Sequence, residues 1–446
     1  MKLQRLKMKM TNTRLIAISF VAVILIGMIL LCTPFASASG EWTSLIDALF
    51  TATTSTCVTG LVVVDTPTHW SFFGQIVILV LIQIGGIGFM SLITLFSFFV
   101  RHQVSLHERR LLLQSTGALH MSGVMASFRH LLLGTFVIEG LGALALAYRF
   151  CPIYGKKGIW YAIFHSVSAF CNAGIDLVGT AEMPSLMGYA DDLLVTGTVM
   201  FLIVMGGLGF LVWHDILKSG FRFRKMELHS KLVLTITGVL ILGGAFLLYL
   251  TERNASMADM NEGQKLWNAL FQSVTTRTAG YITVDQSALS ESGALVSILL
   301  MFIGGSPGST AGGVKTTTML VFLLCSWNLA HNRESITAFK RRIDNRIVRQ
   351  AGAVVCFYLL MILTATALIC VLEPVGLKKV LFEVTSAMAT VGLSMGMTPT
   401  LGVLSKLILI LLMYAGRLGG LSLFLALAES DGQAPIERPV EKILIG

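Results

Sequence analysis

Length, composition and charge place this chain in a lipid bilayer. It has 446 residues, of which 54% are hydrophobic and 13% charged, with a formal net charge of +9. That is too little polar material to cover a water-soluble globule of this size. The Lys and Arg residues are scattered over several segments without an interleaved aromatic platform, so their excess does not indicate nucleic-acid binding.

Eight apolar stretches are long enough to cross a bilayer, which needs roughly 20 apolar residues. We expect eight transmembrane helices, the first being retained rather than cleaved as a leader. The stretches cover residues 15–35, 72–100, 125–150, 193–217, 232–250, 295–327, 347–372 and 401–428. The predicted fold class is therefore an all-α integral membrane protein.

A short amphiphilic segment ending in glycine lies between the two members of each pair of stretches. The four segments read FTATTSTCVTGL (50–61), FHSVSAFCNAGI (164–175), FQSVTTRTAGY (271–281) and FEVTSAMATVGL (382–393). Their last glycines are 114, 106 and 112 residues apart. This period predicts four copies of one unit around a pseudo-four-fold axis, at 15–100, 125–217, 229–330 and 346–428, between a basic N-terminus (1–14) and a tail (429–446).

Each glycine segment is too short to cross the bilayer, and non-helical backbone at that depth must be buried in protein or wetted. A half-helix that enters and an extended strand that returns would satisfy this rule. Four such strands would bring carbonyl oxygens together as rings that replace the hydration shell of a monovalent cation. The predicted filter residues are Val58, Thr59, Gly60, Asn172, Ala173, Gly174, Thr278, Ala279, Gly280, Thr390, Val391 and Gly392. Ordinary loops ending in a turn glycine are the alternative, which four copies in register disfavour.

The distribution of basic residues predicts the orientation. Of the 33 Lys and Arg residues, 22 lie in the termini and in alternate loops, which places both termini in the cytoplasm and the glycine segments on the outer side. Asp65, Asp176 and Asp285 follow three of the glycines. At an outer mouth they would concentrate cations, and capping of local turns explains them equally well.

The sixth stretch is interrupted by GGSPGSTAGGVKT (304–316), with five glycines and a proline. This composition cannot stay regular helix, and a broken helix facing water is suited to form a movable barrier. A kinked packing helix is the alternative. The predicted gate comprises Gly304, Gly305, Ser306, Pro307, Gly308, Ser309, Thr310, Gly312, Gly313 and Lys315, together with Arg417.

Two arginines lie in apolar surroundings. Arg417 is in the middle of the last stretch, where an arginine costs about 3 kcal/mol on insertion scales, so it must face a wet interior or a partner. It would form a positive barrier in a cation pathway or, alternatively, a buried ion pair. Arg277 lies within TRTAG of the third amphiphilic segment, which is one residue shorter than the others from its phenylalanine to its glycine. We expect its side chain to turn away from the ions and to be held by hydrogen bonds.

Enzyme motifs are absent or fail in context. GGSPG (304–308) satisfies GxSxG, but the only later histidine, His331, lies in a basic cytoplasmic segment. In GVKT (313–316) a valine separates glycine from lysine, so the stretch is not a Walker A loop. The sequence predicts no enzyme and no cofactor. A secondary carrier for another cation or small solute, built on broken spans, is the alternative to a pore.

The arrangement of spans and glycine segments resembles the TrkH/KtrB/HKT superfamily of potassium transporters, and KtrB most closely. The likeness covers residues 15–428 and rests on CNAG, TRTAG, the 304–316 stretch and YAGRLGG (414–420). It implies a plasma-membrane potassium uptake subunit with potassium, and also sodium, as the ions concerned, and it assigns the gate to the 304–316 loop and Arg417. Because family members with serine at the first filter position tend toward sodium, Gly60 favours potassium.

The same resemblance implies a homodimer that rests on a ring of cytoplasmic nucleotide-binding regulatory subunits, like KtrA. The basic loops 101–110, 218–231 and 333–349 would face that partner. Membrane topology alone explains these charges equally well.

Overall fold

The computed structural model describes residues 12–88, 124–180, 183–332 and 336–419. Several predicted features lie outside these ranges: most of the basic N-terminus, the end of the second apolar stretch, the basic loop 101–110, Arg333, and the chain from residue 420 onward with the predicted tail. The described residues form fifteen α-helices and one short antiparallel hairpin.

The helices follow one another with short connections. In chain order they are α1 Asn12–Cys32, α2 Leu45–Thr56, α3 Thr66–His69, α4 Phe72–Ile87, α5 Val124–Tyr154, α6 Lys157–Phe170, α7 Leu193–Leu208, α8 Phe210–Ser219, α9 Leu228–Glu252, α10 Glu262–Thr275, α11 Glu291–Phe302, α12 Thr316–Ala330, α13 Asn345–Leu372, α14 Leu377–Ala389 and α15 Val403–Leu418. The hairpin strands β1 Thr337–Ala338 and β2 Arg341–Arg342 lie between α12 and α13.

Each of the four predicted units begins with a long apolar helix. Within the described residues, four helices (α1, α5, α9 and α13) are long and apolar enough to cross a membrane, and a fifth span is present if α7 and α8 count as one. The prediction of a mostly helical fold with several apolar helices able to cross a membrane is therefore confirmed. The other predicted spans contain shorter helices, of 12 or 16 residues in α4, α7, α11 and α15, so the number of eight crossings stays a prediction.

Glycine ends three of these shorter helices. Gly88, Gly209 and Gly419 have φ angles of 90°, 89° and 82°, a conformation that L side chains resist and that cannot continue a right-handed helix. After Gly209 the chain turns by 92° into α8. The predicted stretch 193–217 is therefore broken at Gly209 into α7 and α8, whereas the sequence predicted an interruption only in the third unit.

The four amphiphilic segments form the helices α2, α6, α10 and α14, each of which stops shortly before its glycine. Their shared phenylalanine is buried in every copy: Phe50, Phe164, Phe271 and Phe382. Burial of such a side chain contributes on the order of 1.5–3 kcal/mol, so the same anchor seats all four helices in the core.

Carboxylates join the C-terminal ends of two long helices to the helices that follow. Glu252 at the end of α9 accepts hydrogen bonds from the hydroxyls of Ser256 (2.7 Å) and Ser290 (2.5 Å), the latter being the N-cap of α11. Glu373 after α13 accepts from the backbone amide of Gly402 at 2.9 Å and from the Ser405 hydroxyl at 2.6 Å. Both carboxylates bind the start of a helix, where negative charge is favoured.

Candidate functional site

The four segment glycines form a closed ring. A Cβ atom built on Gly60 would lie 2.5 Å from the carbonyl oxygen of Ala173, and one on Gly174 would lie 2.5 Å from that of Ala279. The series continues from Gly280 to the carbonyl of Val391, at 2.7 Å, and from Gly392 back to the carbonyl of Thr59. Each glycine thus faces the next repeat in chain order, and no side chain larger than hydrogen fits in the ring.

The backbone takes the same path in all four copies. The residue two before each glycine has a positive φ although none of the four is glycine: 56° at Val58, 60° at Asn172, 66° at Thr278 and 52° at Thr390. Such a conformation is uncommon for β-branched residues and persists only where the surroundings enforce it. Three different side-chain types share this backbone conformation. The shared feature of the four segments is therefore their main chain and not their side chains.

A repeated hydrogen bond orients the peptide planes. The amide of the residue before each glycine donates to a carbonyl near the end of its own helix, over 2.8, 2.7, 2.9 and 2.8 Å for Thr59, Ala173, Ala279 and Val391. None of the described peptide bonds is cis, so the carbonyl of the same peptide unit points away from that helix. The repeated bond therefore sets the direction of the carbonyls of residues 58, 172, 278 and 390 in the same way in all four copies.

Arg277 is buried behind the third segment, with 4% of its surface exposed. Its guanidinium donates to the Thr237 hydroxyl on α9 at 3.3 Å, and its own carbonyl accepts from the Asn172 side-chain amide, also at 3.3 Å. The predicted orientation away from the ring agrees with these contacts. The partner on α9 could not be identified from the sequence, because it lies on a different helix of the same unit, 40 residues away.

The predicted gate loop folds under the ring. It links α11 to α12 through a parallel bridge between Ile303 and Val314, and its Thr310 hydroxyl donates to the carbonyl of Phe170, the last residue of α6, at 3.2 Å. A Cβ on Gly312 would overlap the hydroxyl of Thr390 in the fourth segment. The backbone amide of Phe210 donates to the carbonyl of Gly308 in this loop at 3.0 Å. The break between α7 and α8 in the fourth span is therefore packed against the loop.

Two cationic side chains lie at this loop. The Arg417 guanidinium donates to the carbonyls of Thr310 and Gly85 and, at 3.3 Å, to that of Gly86. The Lys315 ammonium donates to the carbonyl of Ala311 at 2.6 Å. Arg417 therefore ties the loop to the end of α4 through backbone carbonyls, and within the described residues it forms no ion pair. The alternative of a buried ion pair finds no support in these contacts.

The three aspartates cap local turns beyond the ring. Asp65 accepts from the Thr68 hydroxyl, Asp176 from the amide of Gly179 at 2.7 Å, and Asp285 from the amide of Ser287 at 2.8 Å. Burial, together with the nearby charge of Asp65, raises the pKa of Asp176 to about 6. Asp65 and Asp176 are thus close enough to interact, while Asp285 is exposed.

Glycine pairs in the inner helices allow close packing against the half-helices. A Cβ on Gly85 of α4 would overlap the carbonyl of Thr56, and one on Gly206 of α7 that of Phe170. Gly416 of α15 has the same relation to Met388. These carbonyls lie at or near the ends of α2, α6 and α14, so the glycines fix how deeply each half-helix sits.

Two predicted basic loops, 218–231 and 333–349, come together through an aromatic contact. The rings of Phe223 and Phe339 pack edge to face with centroids 5.9 Å apart, which joins the loop after α8 to the hairpin. Around this contact the basic side chains are exposed: Arg222, Arg224, Lys225, Lys340, Arg341 and Arg342. The hairpin surface is therefore continuous with that of the 218–231 loop.

Apolar helices arranged around a closed backbone ring define a helical membrane transport protein. The chain belongs to the TrkH family of cation transport proteins, whose family model matches residues 2–434. It is 40% identical to the potassium/sodium uptake protein NtpJ of Enterococcus hirae over 99% of each chain. It is 36% identical to the Ktr system potassium uptake protein B of Bacillus subtilis, over 98% of this chain and 97% of that protein.

The fold has a solved counterpart. The potassium transporter TrkH from Vibrio parahaemolyticus superimposes with a TM-score of 0.70, over 92% of this chain and 85% of its own, at 19% sequence identity. The family resemblance inferred from the motifs is confirmed, and the prediction that the chain is a cation transporter and not an enzyme is confirmed with it.

Proposed function

We propose that this chain is the pore-forming subunit of a potassium uptake system in the plasma membrane. Four units of long helix, half-helix, glycine strand and second helix surround one pore, and the twelve predicted filter residues bind the ion through their backbone. One observation carries the proposal. Each of the four ring glycines (Gly60, Gly174, Gly280 and Gly392) packs against the carbonyl of the residue that precedes the glycine of the next repeat, and the fourth repeat closes on the first. The related proteins named above are uptake proteins for potassium, in one case with sodium.

The chemistry of the ring suits a monovalent cation. Its ligands are neutral carbonyl oxygens, which compensate a single charge, and α2, α6, α10 and α14 end beside it with their partial negative charge. Divalent cations prefer sites with carboxylates. Within the described residues no group of three or more His, Cys, Asp or Glu side chains could hold a metal ion.

The loop of residues 304–315 and Arg417 act as the gate in this proposal. The loop contacts the second and fourth filter segments from one side, so an ion leaving the ring meets it next. Arg417 and Lys315 add positive charge at that point and oppose the passage of cations. Replacing Arg417 by Gln removes the charge and weakens the tie to α4, and we expect a higher maximal uptake rate with the ion preference unchanged.

Two parts of the proposal concern how the chain assembles with other subunits. The chain would form a homodimer, and a cytoplasmic ring of nucleotide-binding subunits would bind the surface that Phe223 and Phe339 join. A partner with acidic side chains would match the six exposed cations there. The double substitution R341E/R342E should abolish co-purification with the regulatory subunit, with K378E on the predicted outer side as control. Retained co-purification would reject this surface as the partner's site.

The test of the main proposal is growth rescue of a potassium-uptake-deficient bacterium on low potassium, followed by rubidium uptake in competition with sodium. The decisive variant is Gly60→Ser, because Gly60 has a φ of 96° and its Cβ would meet the Ala173 carbonyl at 2.5 Å. Gly40→Ser is the matched control, since Gly40 has a φ of 75° and no neighbouring atom within 4 Å. We expect only the Gly60 variant to lose its preference for rubidium over sodium.

Two results would contradict the proposal. Unchanged selectivity in the Gly60→Ser variant would remove the ring from the pathway. Failure of the wild type to rescue growth on low potassium, with uptake of a different cation or of a small solute, would favour the alternative of a secondary carrier.

A further inference from the structure

One hydroxyl group recurs behind every filter strand. It belongs to the residue four positions after the buried phenylalanine of each half-helix, and it is buried in all four copies: Thr54, Ser168, Thr275 and Ser386. The backbone carbonyl of the same residue is the acceptor for the amide of the residue before the glycine. Each of these four residues therefore holds the strand through its main chain and its side chain.

The hydroxyls bind the strands in two modes. In the first and fourth copies, Thr54 and Ser386 accept from the amides of Gly60 and Gly392, both over 3.0 Å. In the second and third copies the hydroxyl donates instead to the carbonyl after the glycine, from Ser168 to Ile175 at 2.8 Å and from Thr275 to Tyr281 at 2.6 Å. The four copies thus fall into two neighbouring pairs around the ring.

Each mode fixes a peptide plane. The amide of Gly60 and the carbonyl of Thr59 belong to one trans peptide unit, so they point in opposite directions. When the Thr54 hydroxyl binds that amide from behind, the Thr59 carbonyl faces the ring, where it meets Gly392. In the other mode the hydroxyl holds the carbonyl of Ile175 or Tyr281 back from the ring.

The short third segment retains the contact. It runs from Phe271 to Gly280 in nine steps where the other copies take ten. The hydroxyl residue Thr275 still follows its phenylalanine by four positions, so the missing residue falls between the hydroxyl and the glycine. The filter side chains differ among copies, whereas the hydroxyl is present in all of them.

We propose that Thr54, Ser168, Thr275 and Ser386 form a hydroxyl clamp, a set of positioning residues that orients the filter carbonyls and thereby sets the preference for potassium over sodium. This inference rests on the proposed function of the ring as the filter. A ring that distinguishes two alkali cations by size or ligand field needs its oxygens held in place. The clamp supplies this from buried side chains that do not touch the ion.

The test compares Thr54→Val, which keeps the shape and removes the hydroxyl, with Thr54→Ser, which keeps the hydroxyl. Thr53→Val is the matched control, because among the described residues the buried Thr53 hydroxyl bonds only within its own helix, to the Leu49 carbonyl at 2.8 Å. The readout is the ratio of KM for sodium to KM for rubidium in vesicles. Unlike the maximal rate, this ratio does not depend on how much folded protein is present.

We expect Thr54→Val to lower the ratio about tenfold, since it leaves the Gly60 amide unpaired in a buried site. Thr54→Ser and Thr53→Val should keep the wild-type ratio. Thr275→Val should have a smaller effect, because a carbonyl that loses one partner is tolerated better than an orphaned amide. A ratio in Thr54→Val equal to that in Thr53→Val would overturn the clamp.

The outcome for Gly60→Ser separates the two proposals. If that variant loses selectivity while Thr54→Val does not, the filter stands and the clamp is rejected. If neither variant changes the ratio, the filter itself is rejected, and the clamp with it.

Discussion

The break in the fourth span gives a prediction whose size can be worked out. Gly209 combines a φ of 89° and a ψ of 146° with a site where a Cβ would lie 2.6 Å from the carbonyl oxygen of Pro307 in the gate loop. The backbone conformation costs a side chain about 1–3 kcal/mol. Ordinary contact begins at 3.4 Å, so the loop must also give way by most of an ångström, for which overpacking costs about 1–3 kcal/mol.

Gly419 provides the control for the energetic cost of the backbone conformation alone. It has a φ of 82° and a ψ of 132°, and no described atom lies within 4 Å of the position of its Cβ. We expect Gly209→Ala to lower the unfolding free energy by about 2–6 kcal/mol and Gly419→Ala by only the first term, about 1–3 kcal/mol. Titration with SDS in mixed micelles measures both. Equal losses in the two variants would show that α8 and the loop are not packed as described.

Three further outcomes are expected. Because the Asp176 pKa lies at about 6, its carboxylate is charged at pH 7.5 and neutral at pH 5. In uptake assays the KM of the wild type for rubidium should therefore rise on acidification. The Asp176→Asn variant should have a high KM at both pH values. Glu252→Gln replaces one of the two carboxylate oxygens, which accept from the hydroxyls of Ser256 and Ser290, by an amide group that donates. In an SDS titration the variant should lose about 1–3 kcal/mol of unfolding free energy. Lys406 binds Asp47 at 2.9 Å with 12% and 22% of the side chains exposed; a double-mutant cycle should give a coupling of about 1 kcal/mol or less.

Much of the site could be predicted because it repeats. A single segment such as 50–61 is indistinguishable from a loop with a turn glycine, whereas four segments with a shared phenylalanine and glycine constrain one another. The loop of residues 304–316 could be predicted for a different reason: its glycines and proline exclude a helix whatever surrounds it.

The remaining features depend on tertiary contacts that leave a weak trace in the sequence. Nothing in the residue types at Val58 or Thr390 indicates a positive φ, which the ring imposes on them. Gly209 stands in a pattern that also suits tight helix packing, so its role as a break became visible only through the contact with Pro307. The hydroxyl after each phenylalanine was readable as a pattern, since Thr and Ser alternate at one fixed offset, but its partners lie beyond the glycine.

The chain-order contacts of the four glycines have a consequence for biosynthesis. The last contact, between Gly392 and the Thr59 carbonyl, joins the final repeat to the first, and Tyr414 donates to the Ala17 carbonyl at 2.9 Å across the same seam. Repeats emerge from the ribosome one after another, so a nascent chain that stops short of residue 392 has three strands and an open gap. Closure of the ring therefore waits for the last repeat, and a chain truncated before residue 392 lacks the contact that completes the ring.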